Sequence, residues 1–469
     1  MGKLIKVDRK ISQKNMKRIL FYLTGLIFLG SCGSSGNGEL TGVQDRKPFY
    51  QPDPYGMAYI PMGSFTIGVG EDNIAYTKIF KPKTVTVSAF YMDETEITNN
   101  EYRQFVYWVR DSLARQLLGD ILPEDFLIEE NKKTGEMYDP PFLNWHTKID
   151  WNGEEEKDVL EELFLPENER FSRRKEIDTR KLNYKYYWVD LMAAARKDFS
   201  QEGDPKTASL ANRPQGLQDR SVYVREEEIN VYPDTLVWIY DYSYSFNEPL
   251  TQKYFWHPAY DNYPVVGVNW KQAKAFCVWR TERKNSWLAS KKGQASIHDY
   301  RLPTEAEWEW AARGGHDFSP YPWGGPYTRN DKGCFLANFK PQRGNYSDDG
   351  GVTPIIVAHY PANDWGLYDM AGNVSEWTGD AFDESSYNFT WDLNPNYQYN
   401  ADDSDPPVLK RKVIRGGSWK DIGNFLEVAS RTYEFQDTAK SYIGFRCIQP
   451  YLGRQKDDNP AKASHIYKK

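Results

Sequence analysis

Cysteine, histidine and carboxylate side chains are the groups of this 469-residue chain that could do redox, metal or acid–base chemistry, and their spacing narrows what that chemistry is. Cys277, Cys334 and Cys447 lie far apart and match no metal-finger pattern. In an oxidising compartment two of the three can pair while one stays free. Among His146, His257, His298, His316, His359 and His465 no two are three or four residues apart, so no helix carries a pair of imidazole ligands. No Gly-x-Ser-x-Gly elbow or Walker-type phosphate loop is present. The 66 Asp and Glu are too many for one pair to stand out as general acid and base. Catalysis is therefore not the expected role.

Cys32 has a different setting. The first eighteen residues hold seven Lys or Arg and one acid, Asp8. Eleven mostly apolar residues follow, Ile19 to Leu29, which make about 16 Å of helix, roughly half of a hydrocarbon core. That length reads as a signal peptide over residues 1–31. Leu29-Gly30-Ser31-Cys32 resembles the bacterial lipobox, which implies a lipid on Cys32 and export from the cytoplasm. Residues 1–31 carry a net +6, so the 438 residues after them carry about −13 against −7 for the whole chain. An acidic body with no basic block is a poor polyanion binder, which argues against nucleic acid as a partner.

The elements that must position these groups follow from periodicity and capping. Residues 32–50 are Gly- and Ser-rich, then polar, and read as a flexible tether. Alternation from Thr84 to Met92 predicts a strand. Thr98 and Glu101 form a capping box, and Tyr102, Phe105, Val106 and Val109 mark the buried face of the helix that follows. Residues 121–262 are dense in charge and aromatics and read as an insertion, with a helix expected from Glu167 to Asp198. Its clusters around Tyr184 to Trp188 and Tyr240 to Phe246 offer either a partner surface or packing against the neighbouring domain. Asn269 with Gln272, and Thr304 with Glu307, cap two further helices, the second ending at Gly314-Gly315. Residues 453–469 are polar and expected to be disordered.

Eight motifs in order carry a resemblance. They include Ile60-Pro61-Met62-Gly63-Ser64-Phe65, Glu94-Thr95-Glu96-Ile97-Thr98-Asn99, Arg301-Leu302-Pro303-Thr304-Glu305-Ala306-Glu307-Trp308, Gly366-Leu367-Tyr368-Asp369-Met370-Ala371-Gly372-Asn373-Val374-Ser375-Glu376-Trp377, Arg415-Gly416-Gly417-Ser418-Trp419 and Ile443-Gly444-Phe445-Arg446-Cys447. The text is similar to the sulfatase-modifying-factor (formylglycine-generating enzyme) domain, over 51–120 and 263–452. The resemblance implies an α+β fold of the formylglycine-generating-enzyme/C-type-lectin-like kind, with much irregular chain and the long charged insertion between its two parts. It also places Cys277 and Cys447 at the positions of a family disulfide.

Enzymes of that family hold copper with two cysteines just after the Arg-Gly-Gly-Ser-Trp motif. Here the matching positions read Asp421 and Leu426, and neither offers a soft ligand for Cu(I). No catalytic cofactor is expected. The family's structural calcium sites map onto Asn338 with Asp349 and onto Asn373 with Glu376, oxygen donors that suit a hard cation, with plain turn hydrogen bonding as the alternative. Lipobox, a domain lacking the copper-site cysteines, and the insertion together resemble the gliding-motility lipoproteins, most nearly the K type. That likeness implies a ring-forming homo-oligomer of the type IX secretion system, lipid-anchored on the periplasmic side of the outer membrane and bound to a GldN/PorN-type partner. The J-type motility lipoproteins, a surface glycan- or peptide-binding lipoprotein and a family oxygenase are the rival readings.

Overall fold

A computed structural model describes residues 51–68, 82–131, 134–191, 221–244, 247–291, 294–341, 347 and 350–453. The expected signal peptide, Cys32, the tether and the tail beyond Gly453 lie outside the described residues. Alternating apolar residues build the first strands, β1 (Met57–Ile60), β2 (Gly63–Ile67), β3 (Lys83–Val87) and β4 (Phe90–Asp93). The run from Thr84 to Met92 is thus two strands rather than the one its alternation predicts. β3 pairs with β2 and buries alternate residues, whereas β4 is buried at all four residues. At the break, Ser88 N–H donates to Asn394 Oδ1 at 2.7 Å.

α1 (Asn99–Gly119) starts where its capping box requires: the Thr98 hydroxyl accepts from Glu101 N–H, and the Glu101 carboxylate accepts from Thr98 N–H at 2.8 Å. Its apolar face, Tyr102, Phe105, Val106 and Val109, is buried as the spacing predicts. Then come the insertion's two hairpins, β5 (Leu127–Glu130) with β6 (Met137–Leu143) and β7 (Asn183–Val189) with β8 (Val224–Asn230), and a short helix, α2 (Val237–Asp241). Of the helix expected from Glu167 to Asp198, the part up to Val189 does not form, and residues 192–198 lie outside the described residues. That stretch holds three single-turn 3-10 segments and then β7, whose Tyr184 and Tyr186 point inward while Lys185 and Tyr187 point out. Aromatics in period two gained more from a sheet against the core than from a helix, and local propensity yielded to packing.

α3 (Trp270–Ala289) and α4 (Glu305–Arg313) both begin with the capping boxes read from sequence, and α4 stops at Gly314 in the left-handed conformation, φ +58. β9 (Ser375–Ala381), β10 (Arg411–Arg415), β11 (Thr432–Phe435), β12 (Ile443–Gly444) and β13 (Ile448–Pro450) complete the chain. They form a four-stranded sheet ordered β11-β10-β9-β12 and a three-stranded one ordered β1-β4-β13. Between them the main core gathers Tyr102, Phe105, Phe276, Trp279, Trp377 and Phe445 with Tyr184, Tyr186 and Val231 of the insertion. Tyr102 Oη donates to the Val231 carbonyl at 3.0 Å, and Gln272 Nε2 donates to the carbonyls of Asn230 and Tyr232 at 2.9 Å each. These contacts tie the insertion to α1 and α3.

Ion pairs inside the fold fasten α4 to the four-stranded sheet. Glu309 pairs with Arg313 at 2.7 Å and with Arg415, and Glu305 pairs with Arg415 at 3.2 Å and Arg431 at 2.7 Å, all essentially buried. Charges out of water persist only when paired and hydrogen-bonded, and here three guanidiniums share two carboxylates. Among the described residues no helix is long and apolar enough to cross a membrane.

Candidate functional site

Three places bring the sequence-selected residues together. The first follows β10, where Gly416 and Gly417 turn the chain at φ +92 and +67. A Cβ on Gly417 would lie 2.7 Å from the Phe425 carbonyl oxygen, so only glycine permits this close approach. The turn aims Ser418 at Asp421, whose Oδ2 accepts from the Ser418 hydroxyl at 2.6 Å. Burial pushes the Asp421 carboxyl above its ordinary range. Leu426 is fully buried against Tyr321, Phe335 and Phe339. The two positions that the family resemblance assigns to copper ligands thus present a hydroxyl-bonded carboxylate and a packed hydrocarbon, neither a soft ligand.

The insertion covers this turn. Trp238 of α2, itself buried, stacks on Trp419 with ring centroids 6.1 Å apart and 23° between planes, and Tyr254 packs against Trp238 at 5.0 Å. Asp241 at the end of α2 takes the Lys420 ammonium with one oxygen and the Ser441 hydroxyl with the other. Sequence reasoning missed Trp238 and Asp241. Nothing in the local text of the insertion distinguishes them from its other aromatics and acids.

The second place is a buried carboxylate cluster. Arg446 donates to Glu376 from Nε at 2.8 Å and Nη2 at 2.6 Å, and to the carbonyls of Asp93 and Tyr368. Trp308 Nε1 closes the other side of Glu376 at 2.8 Å. Asn373, held at φ +57, donates its amide to Glu96 at 3.1 Å and accepts from Ile355 N–H at 3.0 Å. Asn338 donates its amide to the Thr353 carbonyl at 2.8 Å, and Asp349 lies outside the described residues. Glu376 is thus paired with Arg446, and Asn373 and Asn338 make the turn hydrogen bonds that the sequence offered as the alternative to ligation. Among the described residues no three His, Cys, Asp or Glu side chains form a group that could hold a metal ion.

What the cluster does contain is Asp369, which lines a small pocket beside Trp323, Leu336 and Met370. Its Oδ2 accepts from Ala358 N–H at 2.7 Å, while its buried Oδ1 has no hydrogen-bond partner. Burial pushes the Asp369 carboxyl up to about 6, and burial followed by repulsion from Asp369 and Glu376 raises Glu96. Both residues sit inside motifs quoted above, so the acids were legible and their convergence was not. Because the folded pKa of Asp369 is raised above its unfolded value, the folded state holds the proton longer, and stability present below pH 4 is lost as pH rises through 6. Asp369→Asn is expected to flatten that slope and to gain up to about 3 kcal/mol near pH 7.5. Urea denaturation of both proteins at pH 5 and 7.5, in chelator and in calcium, checks this. A variant weaker than the parent only in calcium would place a cation on Asp369.

The third place is the thiol pair. Cys277 on α3 and Cys447 before β13 are buried, with Sγ atoms 3.5 Å apart, in contact as free thiols. Burial, then the neighbouring thiol, pushes Cys447 well above the ordinary range. Cys334 is half-buried elsewhere.

Comparison with known proteins places these features. The profile of the sulfatase-modifying factor enzyme 1-like domain matches residues 44–451, insertion included. The chain is 35% identical over 192 residues to the inactive C-alpha-formylglycine-generating enzyme 2 of Bos taurus, covering 39% of this chain and 50% of that protein. Against the formylglycine-generating enzyme of Bos taurus it is 31% identical over 449 residues, 90% of this chain and 87% of the relative. It spans about half the length of the first of these relatives. Among solved structures, PvdO from Pseudomonas aeruginosa is 17% identical with a TM-score of 0.41, covering 84% of this chain and 94% of that one.

Proposed function

The chain belongs to the sulfatase-modifying factor enzyme 1-like family, and from that premise we propose that it is a non-catalytic member that serves as a structural component of an envelope assembly. The observation that supports this reading is the turn after β10: the positions that the resemblance assigns to copper thiols hold Asp421 and Leu426, and Trp238 and Asp241 of the insertion pack on the neighbouring Trp419 and Lys420. Relatives that match include both formylglycine-generating enzymes and proteins named as inactive ones, so a member without the chemistry is in keeping with the family.

The finer reading rests on resemblance to the K-type gliding-motility lipoproteins. In it, lipid on Cys32 holds the body at the periplasmic face of the outer membrane, where copies assemble with a GldN/PorN-type partner into the ring of a type IX secretion system. Multiple acyl chains exceed the single-chain limit for stable anchoring. Affinity purification of the native protein from detergent-solubilised envelope should recover large particles with a stoichiometric partner. A free monomer, together with intact secretion in a deletion strain, would dispose of the ring. Turnover of a thiol peptide by the copper-loaded protein would dispose of the non-catalytic reading.

Within this reading, Cys277 and Cys447 join as a disulfide after export. The bond would close a loop of 170 residues and add about 5 kcal/mol on the chain-entropy model. Intact mass of the exported protein should fall by about the two hydrogens lost on oxidation, and reductant should lower its melting temperature. An unchanged thiol count in exported protein would refute the bond.

A further inference from the structure

The charge of the insertion is segregated. Residues 120–169 hold sixteen Asp or Glu and four Lys, a net −12, while residues 170–185 hold seven Lys or Arg and two acids, a net +5. Among the described residues only Glu161 and Glu169 of the acidic stretch have an ion-pair partner, and Arg173 and Arg174 of the basic one have none. A lobe this acidic repels itself and attracts a basic surface over several ångströms of screened field.

Each stretch also presents an apolar centre. The β5–β6 hairpin is mostly solvent-exposed, and Phe142, 58% exposed, lies across from Ile128 with the Tyr138 ring 4.6 Å away. Met137, 68% exposed, sits opposite Glu130, and Glu129, Glu136 and Asp139 are exposed around it. In the basic stretch, Phe171 is 76% exposed, and the next two residues, Ser172 and Arg173, hold left-handed backbone at φ 52 and 60. Non-glycine residues resist that conformation, and consecutive cases cluster where a loop is held for contact. An aromatic flanked by arginines has the composition of an interface anchor, and a Met- and Phe-centred surface with an acidic rim is its complement.

We infer that the Phe171–Arg174 loop of one chain docks on the β5–β6 hairpin of a second copy, through apolar centres ringed by opposite charge. The two patches differ, so the contact is head-to-tail and repeats, closing into a ring or running on as a filament. This inference rests on the assembly reading above and names the surface that builds it.

Sedimentation velocity of the full-length lipidated protein in detergent tests it. Mass should rise with concentration at low salt and fall when salt is raised. Arg173→Glu with Arg174→Glu, and separately Glu130→Lys with Glu136→Lys, should each weaken association at least tenfold, with circular dichroism unchanged. Mixing the two variants should restore assembly, because reversed loop then meets reversed hairpin while native loop meets native hairpin. Assembly of both variants like the parent would overturn this contact and leave the ring reading standing. A parent that stays monomeric when purified, yet arrives in rings from the envelope, would likewise overturn the self-contact alone. Absence of rings from the envelope as well would remove both.

Discussion

Arg446→Met is expected to destabilise the protein by about 3–5 kcal/mol or to prevent folding. The guanidinium is fully buried and is the cation of a cluster that also holds Glu376, Glu96 and Asp369. Removing it leaves Glu376 charged without its partner at 2.6 Å and orphans the carbonyls of Asp93 and Tyr368 that accept from Arg446 at 3.1 and 2.9 Å. Adding Glu376→Gln to the variant should recover part of the loss, because glutamine removes the unpaired charge and keeps an acceptor for the indole. Guanidinium denaturation of the parent, the single and the double variant reads both effects. A single variant within about 1 kcal/mol of the parent would mean that the pair does not hold the sheet to the loop before β9.

The second large effect concerns the insertion. Tyr186→Ala should cost about 3–5 kcal/mol and release the β7–β8 hairpin from the core. Tyr186 is 1% exposed, stacks on Tyr184 at 5.5 Å and 12°, and donates its hydroxyl to Glu227. Burial, then the Glu227 charge, pushes its phenol far above the ordinary range, so no proton loss competes with that bond at neutral pH. Glu227 also receives Trp188 Nε1 at 2.7 Å and lies 3.4 Å from Lys274 on α3, so one substitution loosens several contacts. Limited proteolysis should then cut within residues 121–262 well before the rest of the chain. Equal stability and equal protease resistance would show that the insertion does not share the core in solution.

How much of this was legible varies by element, and the pattern is physical. The three capping boxes at Thr98, Asn269 and Thr304 formed as read, because a cap is a contract between residues three apart and needs no tertiary partner. The stretch from Glu167 failed as a helix because charge-rich text satisfies helical propensity without specifying a face. The alternating tyrosines of β7 then settled the matter by finding the core. Asn373 and Glu376 were singled out from their motif, but the partners they meet, Glu96 and Arg446, come from distant parts of the chain and were not legible.

By itself the sequence determined which side chains stand after the Arg-Gly-Gly-Ser-Trp motif and where the local turns fall. A position holding Asp421 or Leu426 has no sulfur in any fold, and Gly-Gly pairs make their bends wherever the chain takes them. Only the tertiary structure decided that Trp238 and Asp241 would seal the turn at Ser418 and that Asp369 would lie near Glu96 with one carboxylate oxygen unbonded among the described residues. Those outcomes depend on which of many similar aromatics and acids meet. Composition leaves that choice degenerate, and burial of a shared core resolves it.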